Sequence, residues 1–217
     1  PTSLTQSLWS LHKTGIPTLQ TELFLEYTGS GLTSGSYSGS IKDPYYQYAN
    51  LKFVPDVTTP SNSASIYLPF FNGDWWSVMV TSGSSNGYEI YAGNKIYNGN
   101  DGTSIGYYDS SSISTSGNWN SFVKTSRFTY TTTNYPGFSG SIQEIRYYSP
   151  VISGSIFKDY VMNPLSIEGN SINSSPNELI FRAALGSELD ITTTTSIHPK
   201  VTGSWVITQS FSSGNTS

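Results

Sequence analysis

The 217-residue chain has no cysteine. That absence removes disulfides, zinc–thiolate sites and cysteine nucleophiles together. Charge is the next scarcity. Asp, Glu, Lys and Arg make up 11% of the chain, with 10 basic and 14 acidic residues, against about 25% in an ordinary soluble domain. The Lys and Arg residues form no cluster, and the net charge is −4. A nucleic-acid partner needs a basic footprint, so that class is set aside. Nowhere do apolar residues run on for the roughly 18 positions that a spanning helix needs. No signal-peptide pattern opens the chain. It starts Pro1-Thr2 without Met, which reads as a processed product or a segment of something longer. Leu is sparse and Ala sparser, so helices lack their usual material.

Hydroxyls, amides and rings fill the space that charge leaves. There are 39 Ser, 24 Thr and 15 Asn, with 16 Tyr, 10 Phe and 5 Trp. Ser, Thr and Asn favour turns and strands over helix interiors. A chain of this size removes roughly 70% of its unfolded surface from water. Aromatic rings, at roughly 150–250 Å² each, can supply much of that core.

Alternation with a period of two recurs along the chain. Leu19, Leu23, Leu25 and Tyr27 share one face and Gln20, Glu22 and Glu26 the other. Ala64, Ile66, Leu68 and Phe70 alternate, then Trp76, Val78 and Val80, and Tyr88, Ile90 and Ala92 more briefly. Phe122, Phe128 and Tyr130, and later Trp205, Ile207 and Phe211, give two more runs. Turn chemistry separates them at Asn72-Gly73-Asp74, Ser85-Asn86-Gly87, Asn98–Gly102 and Asn134–Gly137, because Gly and Asn tolerate the positive φ of tight hairpins. One segment, Ser155–Met162, has helical spacing, with Ser155 as cap and Asn163-Pro164 as stop. Ser-Gly-Ser precedes Ile at Ser38–Ile41, Ser139–Ile142 and Ser153–Ile156, a turn-into-strand device. The expected fold is all-β, an antiparallel jelly-roll β-sandwich with one short helix. It forms a single domain over 1–209, with a flexible tail or linker over 210–217.

Three motifs in order carry a family resemblance. Asp74–Thr81 resembles the W-x-x-V-x-V-T strand of laminin-G-like domains, and Tyr88–Lys95 the L-Y-V-D-G-K hairpin that follows it. Gly137–Tyr148 resembles the F-x-G-x-I-D-E-V-R-I-Y-N strand, and Val151–Met162 occupies the place of the short helical stretch after it. The resemblance covers roughly residues 64–165. It implies the concanavalin A-like sandwich and a binding role, in a family of lectin-like and adhesive modules of bacterial and viral surfaces. Ala92 stands where the family's turn has Asp, and Gln143 where Asp is common. Calcium-dependent members use acidic loop residues, so these departures weigh against calcium.

Glu188-Leu189-Asp190-Ile191 begins like the E-x-D-x-x-E strand of one glycosidase group, but Thr192–Thr195 occupy the place of the second Glu. A retaining glycosidase needs two carboxyls about 5–5.5 Å apart, so the set is incomplete and the chain reads as non-catalytic. His12 and His198 are far apart in sequence and read as surface-loop residues. Asn98, Asn100 and Asp101 offer hard oxygens in one loop. Calcium prefers several carboxylates, so the turn reading outweighs the metal reading and no cofactor is expected. Trp75 and Trp76 are adjacent, so in a strand one faces the core and the other faces away. Trp75 is a candidate binding platform, with packing beneath a loop or a neighbouring subunit as the plainer and favoured reading. Tyr45, Tyr46 and Tyr48, after the Asp43-Pro44 turn, are the other candidate surface, since Tyr joins a flat apolar body to a hydrogen-bonding tip, with local packing as the plainer and favoured reading. Glu144 and Arg146, two apart, form a lateral ion pair.

The reading that follows is a non-catalytic lectin-like structural domain of a virion or surface assembly, extracellular or on the virion surface. Its partners are other structural proteins, copies of itself or a cell-surface glycan, without nucleic acid or membrane insertion. A free secreted carbohydrate-binding module is the alternative, and a glycoside hydrolase comes third.

Overall fold

A computed structural model describes residues 5–13, 16–27, 47–83, 87–115, 126–129, 135–148, 150–164 and 179–184. They are mostly antiparallel strands with one short helix: β1 Thr5–Lys13, β2 Ile16–Glu26, β3 Ala49–Val54, β4 Ala64–Leu68, β5 Trp76–Ser82, β6 Tyr88–Tyr97, β7 Thr103–Ile113, β8 Ser126–Thr129, β9 Glu144–Tyr148, α1 Gly154–Met162 and β10 Leu179–Ala184. The chain divides into two compact units, one of Pro1–Ser141 with Val151–Ser174 and one of Ile142–Pro150 with Ser175–Ser217.

The first unit holds a five-stranded sheet in the order β4-β3-β2-β1-β8 and a three-stranded sheet in the order β5-β6-β7. Register turns the alternation of single strands into rows across the sheet. Leu23 pairs with Phe53 and Phe53 with Ala64; Leu25 pairs with Leu51 and Leu51 with Ile66. In the smaller sheet Val78 pairs with Ala92 and Val80 with Ile90. These rows pack together in one core that takes in both sheets. The Phe53 and Tyr88 rings lie 5.4 Å apart in it. Each large apolar side chain so buried contributes about 1.5–3 kcal/mol. The result is sandwich-like.

The other face of the three-stranded sheet carries α1. Tyr91, Phe157 and Val161 are buried there, with Met79, Ile105 and Tyr108 packed against them. Gly93 makes the close approach feasible, since a Cβ there would lie 3.2 Å from Val161 Cγ2. Lys95 Nζ donates to the Met162 carbonyl at 3.2 Å, satisfying a free helix-end acceptor. Ser153, not Ser155, caps the helix: it has extended backbone and its Oγ accepts from Ile156 N at 3.4 Å. Ser153–Ile156 therefore turns into a helix rather than a strand. Asn163 ends it as expected.

β6 runs to Tyr97, well past the Tyr88–Ala92 run seen in the sequence, through Gly93 and Asn94. At its far end the pairing with β7 slips between Asn94 and Lys95. Gly106 is the extra residue at this bulge. A Cβ on it would lie 2.5 Å from Ile96 Cγ2.

The second unit contains the antiparallel pair β9–β10. Arg146 Nε donates to Glu144 Oε1 at 2.6 Å, so the lateral ion pair is present, with both side chains largely shielded. Among the described residues no helix is long and apolar enough to cross a membrane. Phe122, Tyr130, Trp205, Ile207, Phe211, the Thr192–Thr195 run and the 210–217 tail lie outside the described residues.

Candidate binding site

The turn before β5 builds a hydrogen-bonded polar cluster. Gly73 takes φ +87°, which lets Asn72 fold back over the turn. Asn72 Oδ1 accepts from Asp74 N at 2.9 Å and from Trp76 Nε1 at 3.2 Å. Asn72 Nδ2 donates to Asp74 Oδ2 at 2.6 Å. Asn94 reaches the same oxygen from β6, its Nδ2 donating at 3.1 Å, while its Oδ1 accepts from Tyr107 N at 2.8 Å. Asn94 is 1% exposed. A buried amide is costly unless its groups are paired, and here both are. It stands in for the strand ladder where the bulge interrupts it, and it fixes the carboxylate of an otherwise exposed Asp74.

Rings frame this cluster. Trp76 packs 4.7 Å from Phe70 and 5.9 Å from Tyr107. Its neighbour Trp75 is 61% exposed and Tyr107 41%. The two tryptophans thus divide into one packed against the core and one in water. Asp74 and its neighbour Trp75 put an oriented acceptor and an exposed ring at one rim of the three-stranded sheet.

The second candidate surface is described only in part. Tyr45 and Tyr46 lie outside the described residues. Tyr48 is half-buried, its ring 5.2 Å from that of Tyr67. Tyr67 is exposed on the outer face of β4. It shares that face with Asn50, which accepts from Ser65 Oγ at 3.4 Å.

Asn98 and Asp101 close the β6–β7 hairpin. Asp101 N donates to the Asn98 carbonyl at 3.2 Å and Asn98 N to Gly102 O at 2.8 Å. Asn98 Nδ2 donates to Ser104 Oγ at 2.7 Å. Gly99 and Gly102 supply the positive φ angles. The side chain of Asn100 lies outside the description. No three His, Cys, Asp or Glu residues gather at one place among the described residues.

His12 is not in a loop. It is half-buried in β1, opposite Gln20 of β2 and Arg127 of β8. Ser10 and Glu22, opposite each other, share its face. Ser10 is wholly buried and Glu22 is 3% exposed. Glu22 belongs to the face it shares with Gln20 and Glu26, and its carboxylate accepts from Gln20 Nε2. His198, Glu188 and Asp190 lie outside the described residues.

Three tyrosines hold their protons above the ordinary phenol range. Burial is the main cause for Tyr91, joined by its hydrogen bond to Glu89 and the Glu89 charge. Burial acts first on Tyr108, then the Asp109 and Glu89 charges. Tyr135 is raised by burial and by Glu22 and Glu26. Lys158 Nζ sits 4.3 Å from the centre of the Tyr108 ring.

Trp75 precedes β5, so strand alternation does not account for its exposure, and alternation does not reveal the Asn72–Asp74–Asn94 cluster. The available signal was an amide, Asn94, at an inward position of a strand. Comparison with protein-family models, with curated proteins and with solved structures returns no match.

Proposed function

We propose that the chain is a non-catalytic, lectin-like structural domain of a virion or surface assembly. In this reading the sandwich has the jelly-roll, concanavalin A-like arrangement of the laminin-G-like resemblance. The rim of the three-stranded sheet meets protein or neutral glycan. One observation carries the reading: Trp75 stands 61% exposed beside a carboxylate held by two amides. A large ring left in water next to an oriented acceptor suits an interface that combines stacking with hydrogen bonds. Non-catalysis rests on the missing carboxylate after Asp190.

The test is self-association by light scattering together with binding on a glycan array, for the native sequence and for Trp75→Ala. Removing an anchoring ring weakens such contacts by about 2 kcal/mol or more, so the affinity of whichever interaction is found falls at least about tenfold. With 10 basic and 14 acidic residues in 217 there is little charge to screen, so the native affinity changes less than about threefold from low to moderate salt. Binding that Trp75→Ala leaves intact would remove the rim from the account.

A further inference from the structure

Three Asn-Gly steps occur in the chain: Asn72-Gly73, Asn86-Gly87 and Asn98-Gly99. Glycine has no Cβ to shield its own nitrogen, so such a step is open to attack by that nitrogen on the asparagine carboxamide. Two of the steps have described asparagines, in opposite circumstances. Asn98 is exposed at the hairpin tip, and its carboxamide makes one hydrogen bond among the described residues, Nδ2 to Ser104 Oγ. Asn72 is half-buried, and its carboxamide makes three, to Asp74 N, Asp74 Oδ2 and Trp76 Nε1. Asn86 lies outside the described residues.

We propose that Asn98 is a site of spontaneous covalent modification, and that the hydrogen bonds of the polar cluster suppress the same chemistry at Asn72. The Gly99 nitrogen forms a bond to Asn98 Cγ, and the Cγ–Nδ2 bond breaks. Nδ2 leaves as ammonia, taking up the proton given up by the Gly99 nitrogen. Water then opens the five-membered imide at either carbonyl, giving aspartate or its β-linked isomer. Closing the ring requires the carboxamide to turn over the following nitrogen. At Asn98 that turn gives up one side-chain hydrogen bond, at Asn72 three. Two further bonds of ordinary strength slow Asn72 by at least about tenfold relative to Asn98. The product at Asn98 is a new carboxylate in the turn that already holds Asp101, and it makes the net charge of −4 more negative by one.

The test ages the intact chain at mildly alkaline pH, in parallel with chain unfolded in urea, and follows each Asn-Gly peptide by mass spectrometry. The rate at each site is divided by its own rate in urea, which cancels the intrinsic chemistry. We expect native Asn98 to convert at a sizeable fraction of its unfolded rate and native Asn72 at least about tenfold more slowly by the same ratio. Asp74→Ala, which frees Asn72 Nδ2, should accelerate Asn72 and leave Asn98 unchanged. Equal protection of the two sites, or faster conversion at Asn72, would overturn the proposal. So would an Asp74→Ala chain in which Asn72 stays as slow as before.

Discussion

Tyr91 lies under α1 and donates its phenolic proton to Glu89. Ionising it would put a second negative charge beside that carboxylate in a largely dehydrated place, so its pKa rises from the ordinary value of 10.0. The sign for stability follows from linkage. Above about pH 10 the unfolded chain gives up this proton while the folded chain keeps it. The stabilisation is fully present below the unfolded pKa and is lost as pH climbs toward the folded one. Tyr108 and Tyr135 shift the same way. Melting temperature should therefore fall steeply above about pH 10. Phenolate absorbance of the native chain should show a fraction of the 16 tyrosines ionising late, released together on unfolding. Uniform ionisation near pH 10 in the folded chain would contradict this. None of this was readable in the sequence. Tyr91 and Glu89 are two apart and share a strand face, but the helix that buries Tyr91 begins only at Gly154. The pleat does not account for the exposure of Trp75, because β5 begins at Trp76 and Trp75 lies in the segment before it.

At the scale of elements, α1 and the three-stranded sheet meet through glycines. Gly154 opens the helix, and a Cβ there would lie 2.8 Å from Tyr108 Oη and 2.9 Å from Tyr91 Cε1, well inside the contact distance of about 3.5–4 Å. Its φ is not in the left-handed region, so alanine fits the backbone and gains helix propensity of up to about 1 kcal/mol. Overpacking works in the opposite direction at about 1–3 kcal/mol. We expect overpacking to win: Gly154→Ala lowers the melting temperature by a few degrees, while Ser155→Ala, on the exposed side, changes stability by less than about 0.5 kcal/mol. A melting temperature raised by Gly154→Ala would mean that the helix does not sit so close. The alternating runs of β2 and β4 marked real strands, because their apolar residues face one core and little else competes. β6 was cut short at Ala92 because Gly93 and Asn94 are poor strand formers. Their use is tertiary, one admitting Val161 and the other bridging a bulge. The cap moved by two residues, since Ser153 and Ser155 are chemically equal and only the backbone chooses between them.

At the scale of the molecule, scarce charge and abundant hydroxyl fit a fold whose sheets meet through apolar rows and whose polar groups bond locally. The all-β class could be read from periodicity and turn chemistry alone. The split into two compact units could not, because it depends on β9 and β10 pairing with each other across more than thirty residues. The central functional claim is that the β5 rim makes contact through Trp75. Oxidative footprinting of the five tryptophans tests it most directly, comparing the isolated chain with the chain in its native assembly or saturated with a glycan selected on the array. The account predicts that Trp75 is modified quickly in the isolated chain, faster than the packed Trp76, and is strongly protected in the bound state while Trp76 changes little. Trp75 reacting as fast in the bound state as in the isolated chain would contradict it.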